Sequence, residues 1–119
     1  MIVKKLQSKI PLSYNTGLRT QNTEIVTGRI LNVGYTRAFS MITVQFVYTA
    51  PDGSEISRSA WTIEGVDEIN ALFLAIQPYL PPLVDEATDT MNKFYVGFMF
   101  VASEGWGTPI TDWELVDDI

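Results

Sequence analysis

Hydrophobic and polar positions along the chain follow two rhythms, one of period two in the expected strands and one of period 3.6 confined to Val66–Gln77. Ile25-Val26-Thr27-Gly28-Arg29-Ile30-Leu31-Asn32-Val33 is rich in β-branched residues, which fit a pleated strand, while Gly28 and Gly34 signal a bulge or a close backbone approach. Arg37-Ala38-Phe39-Ser40 connects this strand to Met41–Ala50, where Ile42, Val44, Phe46 and Tyr48 alternate with Thr43, Gln45 and Thr49. Pro51-Asp52-Gly53-Ser54 is a tight-turn sequence because Asp-Gly supplies the positive φ that a hairpin needs. Glu55–Ile63 then returns antiparallel, with Ser57, Ser59, Trp61 and Ile63 on one face and Ile56, Arg58, Ala60 and Thr62 on the other.

Val66–Gln77 changes period: Ile69, Leu72, Phe73 and Ile76 recur at i, i+3, i+4 and i+7 and lay one apolar stripe along a helix. Asp67 and Glu68 suit its first turn, where carboxylates meet the positive end of the helix dipole, and Pro78 stops it. Ala71, Leu74 and Ala75 make the second side apolar too. A helix apolar nearly all round is normally covered all round, so either a neighbouring subunit or a folded-back Pro81–Val84 segment is expected over Leu74.

Beyond the helix, Pro78-Tyr79-Leu80-Pro81-Pro82 reads as extended and Val84–Thr90 as an acidic loop. Met91–Ala102 reads as a central strand apolar on both faces, with Phe94, Val96, Phe98 and Phe100 on one side and Tyr95, Met99 and Val101 on the other. Ser103–Pro109 reads as a loop that presents Trp106 between Gly105 and Gly107, and Ile110–Val116 as a last short strand. Residues 1–22 hold a possible short strand at Ile2–Leu6 and are otherwise aperiodic, an N-terminal arm made basic by Lys4, Lys5 and Lys9. Either that arm reaches an acidic neighbour, or its lysines protect an edge strand from unwanted pairing. Together these elements predict a single α+β domain over residues 1–119. It is mainly an antiparallel β barrel or sandwich with one packed helix, in the order β-β-β-α-β plus short terminal strands.

Composition narrows the chemistry. The chain has 119 residues, neither Cys nor His, and a net charge of −6. Thiol nucleophiles, thiolate zinc sites and disulfides are excluded, and so are the usual general base and the commonest metal ligand. No apolar run is long enough for a signal peptide core or a membrane span, so no membrane association and no signal-directed secretion are expected. Residues 1–60 carry seven basic and three acidic side chains, whereas residues 61–119 carry one basic and eleven acidic. Such a division suits a subunit with faces of opposite sign that pack head to tail, unless folding interleaves the halves.

The acidic pairs Asp67/Glu68, Asp85/Glu86 and Asp112/Glu114 look like solvated turns and helix starts rather than carboxylates converging on a substrate. Asp85–Asp89 lacks the glycine and ligand spacing of a calcium loop, and Gly105-Trp106-Gly107 puts an indole where a phosphate loop needs small residues. Eight basic residues in an acidic chain make no convincing phosphate track, so sequence-specific nucleic-acid binding is not expected. No catalytic residue, metal or cofactor is assigned. Trp61, Trp106 and Trp113 with Tyr35, Tyr79 and Tyr95 could stack on sugars or on a partner, and Trp106 is singled out as an exposed anchor or, alternatively, as a plug at the end of the sandwich.

In its strand order, basic arm, Asp52-Gly53 hairpin and proline-flanked helix, the chain resembles small virion proteins of tailed bacteriophages that form rings at the neck or tail. The resemblance covers most of the chain as texture and rests on no diagnostic motif. It implies a structural, non-catalytic role in a homo-oligomeric ring that contacts other virion proteins in a particle assembled in the host cytoplasm. The interface residues expected are Lys4, Lys5, Lys9, Asp52, Gly53, Leu74 and Trp106. Alternatives are a capsid decoration protein or a monomeric ligand- or carbohydrate-binding module that uses Trp106 and Trp113.

Overall fold

The computed structural model describes residues 3–16, 20–81 and 86–117. In chain order these form β1 (Lys5–Ser8), β2 (Leu12–Thr16), β3 (Thr20–Glu24), β4 (Thr27–Thr36), β5 (Met41–Thr49), β6 (Glu55–Glu64), α1 (Val66–Ile76), α2 (Glu86–Trp106) and β7 (Trp113–Val116). Five strands pair antiparallel in the order β6-β5-β4-β1-β7, and β2 and β3 pair separately as a hairpin. The fold is α+β with antiparallel sheets, as expected. The main sheet is open, with β6 and β7 at opposite edges, so it is sandwich-like rather than a barrel.

The central meander matches its pattern. Ile42, Val44, Phe46 and Tyr48 are buried, and Trp61 and Ile63 on β6 face the same side, half-buried. At the β5–β6 turn Gly53 has φ +88°, and Asp52 Oδ1 accepts from the Ser54 amide at 2.9 Å and the Ser54 hydroxyl at 2.6 Å. These two bonds hold the Asp52 carboxyl below its ordinary value, the hydroxyl contributing most. Gly28 is a close approach: a Cβ built there would lie 2.6 Å from Cζ of Phe98. The β4 bulge falls between Ile30 and Asn32 instead, at neither glycine.

α1 spans Val66–Ile76 with Ile76 fully buried and Ile69, Leu72 and Phe73 packed against the core, as the stripe requires. Met91–Ala102, expected as a strand, is instead the body of α2, which also takes in Glu86–Thr90 and Ser103–Trp106 from the expected loops, while Val84 and Asp85 lie outside the described residues. The alternation of Phe94, Val96, Phe98 and Phe100 is coincidental. Tyr95, Val96, Phe98, Met99 and Ala102 are all buried because the sheet covers one side of the helix and α1 another. An element buried nearly all round has no polar face to reveal its period, and only length separates the two readings. Gly107, at φ +68°, ends α2 by donating its amide to the Glu104 carbonyl at 3.3 Å, and Thr108 donates to the Ser103 carbonyl at 3.0 Å.

The second correction concerns the start of the chain. β1 is neither an arm nor an edge strand: it sits between β4 and β7 with Leu6 fully buried. Side chains from α2 fasten this corner. Asn92, itself buried, accepts from the Val3 amide at 2.9 Å. Tyr95 donates its hydroxyl to the Lys4 carbonyl at 3.0 Å and accepts from the Ile30 amide at 3.2 Å. Burial raises the Tyr95 phenol above its ordinary value. Among the described residues no buried side-chain nitrogen or oxygen lacks a partner, so the core carries no polar group waiting for a ligand.

Candidate interaction surface

β6 is the most accessible strand of the main sheet. It pairs only with β5, and none of its ten residues is buried. Sheet edges invite pairing with other chains and are usually blunted. β7 is blunted by its length of four residues. β4, beyond its short pairing with β1, is blunted by the bulge and by the Tyr95 hydroxyl that takes the Ile30 amide. β6 has no proline, glycine or lysine, and its register with β5 is regular from Ser57 to Glu64.

On the inner face this edge borders two hollows that share Val101. One, of about 420 Å³, is lined by Phe46, Tyr48, Ser57, Ser59 and Trp106 among others. Its neighbour, of about 380 Å³, lies among Trp61, Ile63, Ala71, Leu72, Gly97 and Phe100, with Glu68 and Glu104 also on its wall. Gly97 permits this close seating of α2 on β6, since a Cβ there would come within 3.2 Å of the Trp61 indole. The opposite face of β6 is polar: Arg58, Ala60, Thr62 and Glu64 alternate with the inner residues, and Arg58 binds Glu55 at 2.6 Å.

The expected interface residues do not converge. Lys4, Lys5 and Lys9 belong to the β1 corner, where Lys4 and Lys9 donate backbone amides to the Val116 and Asp112 carbonyls at 2.8 and 2.7 Å. The basic start of the chain therefore lies beside its acidic end, and here folding interleaves the two charge classes rather than separating them. Asp52 and Gly53 form the exposed β5–β6 turn, with the Asp52 carboxylate engaged inside it. Leu74 is 75% exposed on α1; within the folded-back segment offered as its cover, residues 82–84 lie outside the described residues. Trp106 is not on a loop tip: it ends α2, half-buried, its ring perpendicular to that of Tyr48 at 5.4 Å, on the wall of the first hollow.

Asp67 and Glu68 are exposed at the start of α1, Glu114 is exposed on β7, Asp112 is half-buried in the turn before it, and Asp85 lies outside the described residues. No group of three acidic side chains among the described residues could hold a metal ion. Two tyrosines are strongly perturbed. Tyr14 is pushed up to about 12, mainly because its hydroxyl donates to the Glu24 carboxylate at 2.7 Å, and Tyr48 is pushed up to about 12 by burial. No helix among the described residues is long and apolar enough to cross a membrane.

Sequence reasoning missed the β6 edge. Its signal was present in the third strand of the meander, where Ser57, Arg58 and Ser59 interrupt the apolar positions, but strand order cannot be read from periodicity. Comparison of the chain with protein families, with curated proteins and with solved structures produced no match.

Proposed function

We propose that this protein is a non-catalytic structural subunit that self-assembles into a homo-oligomer and contacts other structural proteins of a tailed-phage particle, in a ring at its neck or tail. The observation that carries self-assembly is the long, regular β6 edge beside its apolar hollows, an edge guarded only by the charges of Glu55, Arg58 and Glu64. Exposed Leu74 on neighbouring α1 adds apolar surface of the kind that contacts bury. The particle setting draws its support from the Asp52-Gly53 hairpin and the proline-flanked α1 that carry the sequence resemblance, and not from the strand and helix order, since the last expected strand is the helix α2. Exchange of the basic arm is no part of the proposal, because β1 is committed to its own sheet.

Mass by light scattering after size exclusion, over a range of protein concentrations and salt, tests the reading. A defined multimer is expected. A monomer at every concentration refutes self-assembly and moves ligand binding in the Tyr48–Trp106 hollow to first place.

A further inference from the structure

Resting on self-assembly, the geometry of β6 bears on how two copies meet; a two-fold contact closes at a pair, so a ring would be built from such pairs through other surfaces. We infer that β6 pairs antiparallel with β6 of a second copy about a two-fold axis at Trp61, continuing the sheet across the pair. Opposed residues in an antiparallel ladder lie on the same face, and a two-fold axis normal to the sheet places residue i opposite residue j with i + j even and constant. The candidate registers are therefore few, and Arg58 discriminates among them. Centring the pair on residue 58 sets Arg58 against itself, on 59 against Ala60, on 60 against Thr62, and on 62 beyond the end of the strand. Centring on Trp61 sets Arg58 of each copy opposite Glu64 of the other, twice by symmetry, because 58 and 64 sum to twice 61.

The rest of the strand agrees with that register. Ala60 falls opposite Thr62 on the polar face. On the inner face Trp61 meets its own copy, and Ile63 of the second copy falls opposite Ser59, beside the hollow of Tyr48 and Trp106. Seven residues per strand, 58–64, take part, all within the regular stretch of β6. Arg58 keeps its bond to Glu55, since the planar guanidinium has donors for two carboxylates. Charges on an edge strand discourage indiscriminate pairing, and β6 carries Glu55, Arg58 and Glu64; here Arg58 also selects the one partner strand that presents an acid in register.

Charge reversal tests this on the intact chain. Arg58→Glu and Glu64→Arg, both at exposed positions, should each weaken assembly by about tenfold or more by opposing like charges at two symmetric sites, and the double variant should restore it. Circular dichroism and thermal midpoint show whether each variant remains folded. Because the chain has no cysteine, a second measurement is clean: mixing Ala60→Cys and Thr62→Cys chains under oxidation should give a covalent heterodimer, with little dimer from either alone. Assembly unchanged by both reversals, or no preference for the mixed crosslink, overturns the β6 register while leaving self-assembly standing. A monomeric wild type overturns both.

Discussion

Replacing Gly28 by alanine tests the packing of the core at its tightest point. Gly28 sits in β4 opposite Leu6 of β1 and Tyr48 of β5, and its φ lies outside the left-handed region, so alanine brings no backbone strain. Only space is at issue. The added Cβ would lie 2.6 and 2.7 Å from Cζ and Cε2 of Phe98, where carbon atoms prefer about 3.5–4.0 Å. Phe98 cannot simply turn away: it is fully buried, with the Phe46, Tyr48 and Trp61 rings at centroid distances of 4.5, 5.5 and 6.1 Å. Overpacking of this kind costs about 1–3 kcal/mol. With an unfolding entropy of about 2.1 cal/mol/K per residue, that is a fall of about 4–12 °C in Tm for this chain. Gly34→Ala is the control, since its Cβ would meet only the Thr43 carbonyl oxygen at 4.0 Å, and a change within about 0.5 kcal/mol is expected. Chemical denaturation and calorimetry of both variants decide the matter, and in a Phe98→Leu background the penalty at Gly28 should shrink. A Gly28→Ala protein as stable as wild type would refute the reasoning.

Two residues of α1, two positions apart, should behave oppositely. Ile76→Ala, at a fully buried site, should cost about 2–5 kcal/mol in denaturant unfolding, whereas Leu74→Asp should leave circular dichroism and Tm nearly unchanged while lowering the assembled mass; an unchanged mass would remove Leu74 from the interface. In alkaline titration of phenolate absorbance, Tyr14 and Tyr48 should ionise near pH 12, and Tyr14→Phe and Tyr48→Phe should each remove one late-titrating component. Their phenols are raised in the folded state, so the stability linked to them is complete below about pH 10 and is lost as pH rises towards about 12. Ionisation of both at the ordinary value would contradict the environments described.

What the chain revealed about itself depended on how each element is buried. β4, β5 and β6 carry one face to the core, which imprints period two, and Asp52-Gly53 marks the turn between the last two. α1 was legible for the same reason, as one stripe of Ile69, Leu72, Phe73 and Ile76 packs inward and the rest faces out. α2 lost that contrast: Tyr95, Val96, Phe98 and Met99 are all buried, and a chance alternation of phenylalanines suggested a strand. β1 was too short, at four residues, to show a period, and its insertion between β4 and β7 is a long-range event that local patterning does not encode. The same blindness hid the β6 edge, because a strand looks alike in sequence whether one neighbour or two lie beside it. Trp106 was misplaced since Gly105 reads as a loop residue, yet here it continues α2 and only Gly107 takes the left-handed conformation that ends it.

The β6 edge and the Tyr48–Trp106 hollow are coupled by position. Ser57 and Ser59 belong both to the strand that would pair and to the wall of the hollow. In the two-fold register Ile63 of the second copy stands opposite Ser59, so pairing narrows the mouth of the hollow from the open side. A stacking ligand that fills that mouth would compete with pairing, and thermodynamic reciprocity then requires that each weaken the other by the same factor. The coupling also sorts variants. Trp106→Ala removes the indole from Tyr48 and opens the hollow, yet leaves Arg58, Trp61 and Glu64 in register. It should abolish ligand stacking while sparing assembly, whereas Arg58→Glu should release the pair and leave the hollow more accessible than before.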